Sequence, residues 1–378
     1  MRVLHLFANW KWTGPAEPAV ALAASLAARG HDVHFACGRE VGTLPNEVAN
    51  EAVARGLTLV PGLHLGKHRH PIYDPLDRRA LRSILKKLKP RLVHCHLPND
   101  QRIATGASEE LGIPIVRSLH DGDPPPVDKD QRAQFAAAAG VITISDRMRD
   151  AVIQRFGVAP ESCIAVDPAV DLRRFNPKSK GLTDLRPEYG LGKDDFVVGI
   201  VARMQKHRRF EIFFEALTKA AAEVPSLKIL LVGRGTWMEE VAVKPAARRE
   251  LVGKAIFTGY RRGAEYVATL ACMSAKVYLT PGSDGSCRAV REAMAMGVPI
   301  VAARRGHLVD LVEEGVTGLL VDDDADQLAA ALIRLAKDPA ERARMADASA
   351  KKAQRRFGLP GQAKAVEAFY ERVLAAHA

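Results

Sequence analysis

Short apolar runs, each followed by a longer stretch with helical spacing, recur along this chain in two successive series, and that rhythm admits few folds. The first series has its apolar runs at Val3–Phe7, Val33–Cys37, Leu57–Val60, Leu92–His96, Ile115–Leu119 and Val141–Ser145. Helical patterns lie between them, as in Glu17–Arg29, closed by Gly30. Strands that alternate with helices in this way predict a doubly wound parallel sheet. From Phe196 to about Phe357 the rhythm repeats, through the runs ending at Ala202, Val232, Tyr260, Leu279, Ala302 and Val321. A length of 378 residues with 47% hydrophobic content supplies two such cores. The polar, Pro- and Gly-punctuated stretch Asp171–Gly190 reads as the linker. The expected organisation is therefore α/β, with domains at 1–178 and 179–357. A last segment, 358–378, carries a helix Gln362–Ala376 after Gly358-Leu-Pro-Gly361.

The residues with most chemistry lie in Pro281–Gly297, where two carboxylates, Asp284 and Glu292, are separated by seven residues across a loop-to-helix junction. Gly282, Ser283 and Gly285 allow a tight turn, and the helix read at Ser286–Met296 offers free N–H groups to a diphosphate. Upstream, the run Val197–Ala202 ends in Arg203, and Lys206, Arg208 and Arg209 follow before the helix Phe210–Ala222. Cations at the end of a parallel strand stand where open α/β sheets take their ligands. They can meet charge building on a departing diphosphate in place of a divalent metal. Gly233 and Gly235 permit close backbone approach, although Met238 where a third glycine would fall rules out a dinucleotide fingerprint. Glu292, inside a helix, is costly to bury unless it accepts hydrogen bonds, for which a ribose diol is suited.

Together these segments resemble the GT-B glycosyltransferases, in particular family 4 of retaining, nucleotide-sugar-dependent enzymes. The family mark is a pair of Glu residues with seven residues between them, followed by Ala-x-Ala-x-Gly. The resemblance takes in Arg203, Val232–Gly235, the carboxylate run through Gly297, and Glu313–Val321. In the first half it takes in Gly14, Glu17, Val93–His96, Val116–Asp121 and Val141–Ser145. It implies two Rossmann-like domains facing across a cleft, the C-terminal helix crossing back to the first, and sugar transfer to a glycan or lipid-linked acceptor in cell-surface glycan or glycolipid synthesis. The implied catalytic groups are His120, Arg203, Arg208 and Asp284, with Asp284 and His120 on the donor sugar. The implied nucleotide-sugar contacts are Gly14, Gly233, Gly235, Tyr260, Gly285, Ser286, Ala289 and Glu292, with no metal and no cofactor.

Three departures stand out. The first carboxylate is Asp284 and not Glu, the usual Phe and second Gly are Ser286 and Cys287, and the usual Lys is Arg208. Arg keeps the charge and presents a planar fork to phosphate, whereas the Asp and Ser changes leave the donor sugar open. His94 and His96, two apart on one strand, share a face and either line the cleft or are buried together. Gly14 is followed by Pro15, which stiffens its loop.

Other features have plainer readings. Asp322–Asp326 precedes the helix Gln327–Leu335 and reads as a cap; Lys67-His-Arg-His70 reads as a solvated basic loop. The net charge of +11 is partly carried by Arg78–Lys89, whose Leu81, Ile84, Leu85 and Leu88 form one apolar stripe. This is either a surface helix on the sheet or a dock for anionic lipid. With no recognition motif and 6% aromatics, no nucleic-acid partner is expected. Five widely spaced cysteines read as reduced, and no run approaches the ~18 apolar residues of a membrane span. A cytoplasmic location is expected, peripheral on the inner membrane face if Arg78–Lys89 docks there. The alternatives to transfer are a nucleotide-sugar epimerase-like enzyme of the same architecture and a catalytically silent nucleotide-binding scaffold.

Overall fold

The computed structural model describes residues 1–280 and 285–377. It divides into two compact units. The first comprises residues 1–169, Gly285 and Ser286, and 359–377; the second comprises residues 170–280 and 287–358.

In the first unit seven parallel strands run β1 (Arg2–Phe7), β2 (Asp32–Cys37), β3 (Thr58–Leu59), β4 (Leu92–Cys95), β5 (Ile115–Ser118), β6 (Gly140–Thr143) and β7 (Cys163–Ala165) along the chain. In the sheet they lie in the order β3-β2-β1-β4-β5-β6-β7. Most are apolar without alternation because helices cover both faces. On one face Val3, Phe7 and Phe35 pack with helix Ala16–Ala28 and with Val366, Phe369 and Tyr370 of the C-terminal helix Leu359–Ala376. On the other, Leu4 and Leu6 pack with Ile103 and with Leu81 and Leu85 of helix Tyr73–Leu88. Gly140 is required where the C-terminal helix crosses β6, since a Cβ there would stand 2.8 Å from Phe369 Cζ. The apolar stripe of helix Tyr73–Leu88 is thus the surface-helix reading: Leu81 and Leu85 are buried and Ile84 and Leu88 pack against that core. β7 was not among the sequence expectations; only three residues long, it carries too little pattern to be read.

The second unit has six parallel strands, β8 (Phe196–Val201), β9 (Leu227–Val232), β10 (Ala255–Gly259), β11 (Ala275–Tyr278), β12 (Ile300–Ala303) and β13 (Gly318–Val321). Their order is β10-β9-β8-β11-β12-β13. Both sheets therefore place their first strand beside their fourth, the switch point at which neighbouring crossovers run in opposite directions.

The stretch read as a linker is instead part of this unit. Val170, Phe175, Leu185, Tyr189 and Leu191 are buried in its core, so residues 170–178 belong to the second unit. Apolar residues spaced through a polar segment had masked that packing. The Asp322–Asp326 run behaves as a cap: the Asp324 carboxylate accepts from Gln327 N at 2.8 Å and starts helix Ala325–Lys337. All five cysteines are free, four of them buried. No helix among the described residues is long and apolar enough to cross a membrane.

Candidate active site

In the second unit the expected residues gather at the C-terminal ends of β8, β9 and β11. The loop after β8 carries Arg203, which is exposed and has no hydrogen bond or ion pair among the described residues. Arg208 closes the short turn Lys206–Arg208 and donates from Nη1 to Thr280 O at 2.8 Å, just past the end of β11. Arg209 departs from it, in the left-handed region at φ +60°, and its guanidinium pairs with Glu211 and Asp323. Lys206 is also turned elsewhere, to Glu240 and over the Trp237 ring. Of the basic cluster, Arg203 and Arg208 therefore remain at the switch point between β8 and β11.

Gly233 and Gly235 hold this arrangement together. A Cβ on Gly233 would stand 2.1 Å from Ala202 O, and one on Gly235 would stand 2.2 Å from Met204 O. What these glycines admit is the backbone of 202–204, the loop that presents Arg203. Tyr260, beyond β10, is exposed between the guanidinium groups of Arg234 and Arg262, at 5.2 and 4.8 Å from its ring centre.

The helix expected at Ser286–Met296 is shorter, Arg288–Ala295. Cys287 precedes it at φ +52°, a conformation that glycine adopts without strain. Cys287 stands where the resembling family has glycine, and its backbone is left-handed without the residue that favours it. Glu292 is 8% exposed, and its carboxylate is already engaged. Tyr266 Oη, from helix Gly263–Ala271, donates to Oε2 at 2.8 Å, and Arg288 Nε lies 3.5 Å from Oε1. Burial and the Glu292 charge hold the Tyr266 phenol well above its ordinary pKa. Nothing in the sequence pointed to Tyr266, because a tyrosine on a neighbouring helix carries no motif. Ala289 contributes its carbonyl, which accepts from Nζ of the fully buried Lys276 on β11. Asp284 lies outside the described residues. Gly285 and Ser286 group with the first unit, where a Cβ on Gly285 would stand 2.5 Å from Gly122 N, and Ser286 is buried.

The first unit also collects its groups at the C-terminal ends of its strands. Gly14 lies in the turn after β1 that leads into helix Ala16–Ala28. His120 follows β5, and its Nε2 is 3.2 Å from His96 Nδ1. His94 and His96 are buried together with His5 of β1. Burial drives the His5 imidazole down to about 3 and the other two well below their ordinary value, so all three are neutral. Ring nitrogens of these three lie within 4.8 Å of one another, the cluster among the described residues with spacing suited to a metal.

Asp100 sits below His96 and accepts from the backbone N–H groups of Ala8, His96 and Leu97, tying the ends of β1 and β4 together. Burial outweighs those donors and pushes its carboxyl up to about 8. A cavity of about 230 Å³ opens past the end of β5, lined by Arg117, Leu119, Asp121, Asp123 and Pro124–Pro126. A second, of about 350 Å³, lies beyond β2 and β3 between Arg39, Glu40, Leu63 and His64. Lys67–His70 is an exposed loop, as expected; His70 Nδ1 accepts from Ile72 N and Tyr73 N at the start of helix Tyr73–Leu88, and Arg69 pairs with Asp130.

Residues 14–174 match Glycosyltransferase Family 4 and residues 183–352 match Glycosyl transferases group 1. A D-inositol 3-phosphate glycosyltransferase of Streptomyces griseus is 27% identical over 329 residues, covering 76% of this chain and 68% of that protein. The protein of the same name in Saccharomonospora viridis is 27% identical over 292 residues, covering 70% and 66%. The chain thus spans about two thirds of the length of these curated relatives. Among solved structures, Anabaena HepE in complex with UDP superposes with a TM-score of 0.80 at 21% identity, over 98% of this chain and 100% of that one. At that identity the likeness speaks for the fold.

Proposed function

The chain belongs to the GT-B glycosyltransferases of family 4, and from that premise we propose that it moves a sugar from a UDP- or GDP-sugar to a glycan or lipid-linked acceptor, with retention and without a metal ion. One observation supports the reading: Arg203, without a partner among the described residues, and Arg208, bonded to Thr280 O, stand in the loop after β8, and Glu292 is buried and held by Tyr266 in the helix that follows β11. Breaking the anomeric C–O bond loads negative charge on the departing diphosphate. Arg203 and Arg208 meet that charge, each at about 3 kcal/mol for a well-placed donor. Glu292 accepts from the ribose diol, while Gly233, Gly235, Tyr260 and Ala289 shape the nucleotide's surroundings. Asp284 and His120 act at the transferred sugar, His120 by polarising it; Gly14, Gly285 and Ser286 lie along the diphosphate. The acceptor takes the first unit's cavities. A UDP-bound neighbour of the same fold makes uracil the first base to test.

We propose further that the acceptor belongs to the cell envelope and that the enzyme works on the inner face of the membrane. Since Leu81 and Leu85 are spent on the core, docking through helix Tyr73–Leu88 is electrostatic, by the exposed Arg78, Arg79, Arg82, Lys86 and Lys87 with Ile72 and Leu76 beside them. Binding to anionic vesicles that falls steeply with salt, and with neutralisation of Arg79, Arg82, Lys86 and Lys87, is the expected result. Salt-insensitive binding, or none, removes the membrane from the proposal.

The central test is a thermal-shift panel of nucleoside diphosphates and their sugars, followed by turnover in excess EDTA. Stabilisation by one base, with nucleotide released only when acceptor is present, is expected. Release or sugar conversion without acceptor would favour the epimerase-like alternative, and binding without turnover the silent scaffold. Activity abolished by EDTA and restored by Mg²⁺ would overturn the metal-free mechanism.

A further inference from the structure

The buried imidazoles of the first unit are linked and not merely adjacent. His5 Nδ1 lies 3.0 Å from His96 Nε2, and His96 Nδ1 lies 3.2 Å from His120 Nε2. The rings follow in file and nearly parallel, with centres 5.2 Å apart at 22° and 5.5 Å apart at 21°. We infer that His5 and His96 are positioning residues for His120, a chain of imidazoles that fixes which nitrogen of His120 carries its proton. The inference rests on the reading that His120 acts at the sugar.

A neutral imidazole has one N–H and one lone pair, so protons in such a chain must all point the same way. Pointing from His120 toward His5 would leave an N–H on His5 Nε2, which is buried and has no acceptor among the described residues. Pointing outward leaves only a bare nitrogen there, and orphaned buried N–H groups are the rarer of the two. His5 therefore donates to His96, His96 donates to His120 Nε2, and the proton of His120 resides on Nδ1.

The groups packed around the chain support this role. His94 is satisfied separately, by Tyr370 Oη of the C-terminal helix and by Ser118 Oγ at 2.8 Å. It steadies the file by stacking on His96 at 4.3 Å and on His5 at 4.8 Å. Asp100 fixes the backbone of His96 from below. A metal bound by His5, His94 and His96 is the competing use of these nitrogens. It would have to break contacts that already engage His94 and His96 on both sides.

The test reads the tautomer directly. In histidine-selective ¹⁵N-labelled full-length protein, long-range ¹H–¹⁵N correlations assign the protonated nitrogen of His120. Protonation on Nδ1 in the wild type is expected, and protonation on Nε2 overturns the inference without any variant. His5→Phe keeps the ring and its stacking but removes the donor; it should populate the other tautomer and lower kcat about 10–100-fold with donor KM within about twofold. His5→Gln, whose amide N–H can reach His96, should restore both toward the wild type. An unchanged His120 tautomer in His5→Phe, or one tightly held zinc per wild-type chain by elemental analysis, overturns the chain. Should His120→Ala keep full turnover, the catalytic reading of His120 falls, while the tautomer result still decides whether the chain exists.

Discussion

At equivalent switch points the two sheets have opposite chemistry. Between β1 and β4 the first unit sequesters neutral imidazoles away from water, and burial keeps them uncharged. After β8 the second unit leaves one guanidinium exposed and unpaired among the described residues and ties a second one to a carbonyl past the end of β11. One topology thus supplies the same crevice twice, and the residues at the strand ends decide what it does. In the first unit the site is bound up with the stability of the core, whereas in the second the charged part of the site is set on a core that does not need it.

Acid breaks this symmetry most. Below pH 6.5 an unfolded chain protonates His5, His94 and His96, whereas the folded unit keeps them neutral, His5 down to about 3. Groups with lowered folded values weaken the fold as pH falls. Asp100, raised to about 8, works the other way: its contribution is full below the ordinary carboxylate value and is lost as pH rises through 8. Between pH 5 and 6 three protons oppose one. The net slope is then lost stability toward acid, two protons' worth at most. Hydrogen exchange at pH 7 and pH 5 should show β1 and β4 losing protection while β8 and β11 hold. Equal loss in both units would erase the contrast.

Next in size is Arg203→Ala, for which kcat should fall by about 10²–10³. Having no partner, the side chain contributes little to the fold, so stability should stay within ~0.5 kcal/mol. Arg208→Ala, by contrast, also gives up its bond to Thr280 O. A large drop in melting temperature for Arg203→Ala would show that the second site is as structurally committed as the first.

A smaller effect separates the two motif carboxylates. Glu292→Gln should weaken nucleoside diphosphate and nucleotide-sugar alike, by about 1.5–3 kcal/mol. Asp284→Asn should leave the free diphosphate nearly untouched while lowering turnover and sugar discrimination. Isothermal titration of both variants with both ligands checks this. Equal weakening of the free diphosphate would move Asp284 from the sugar to the phosphates.

The legibility of these sites follows from their physics. Both parallel sheets could be read from periodicity, because buried strands are apolar along their whole length, as in Phe196–Val201. Arg203 could be singled out by its place at the end of a parallel strand, where such sheets take ligands, and Glu292 because a carboxylate buried inside a helix is costly unless it accepts hydrogen bonds. Which of Arg208 and Arg209 turns toward β11 depended on a left-handed residue at 209, invisible in the pattern. The His5–His96–His120 file needed three strands brought together, and His5 in an apolar run gave no signal of its own. The packing of Val170 and Phe175 was likewise hidden in a polar stretch.

The smallest expected effect concerns Tyr266, the partner that no motif announced. Its hydroxyl donates to Glu292 Oε2, which leaves Oε1 facing Arg288 and aims the carboxylate before any ligand arrives. Tyr266→Phe removes one hydrogen bond and keeps the ring. Nucleoside diphosphate binding should weaken by about 0.5–1.5 kcal/mol, less than in Glu292→Gln. Because Tyr266 would act only by holding the carboxylate, its effect should shrink toward zero when Glu292 is already Gln, giving a coupling close to the whole of the single-mutant effect. Titration calorimetry on the two single variants and the double variant measures that coupling. Additive losses would mean that Tyr266 touches the nucleotide itself, and the second site would then contain a direct contact in place of an aiming device like the one inferred for His120.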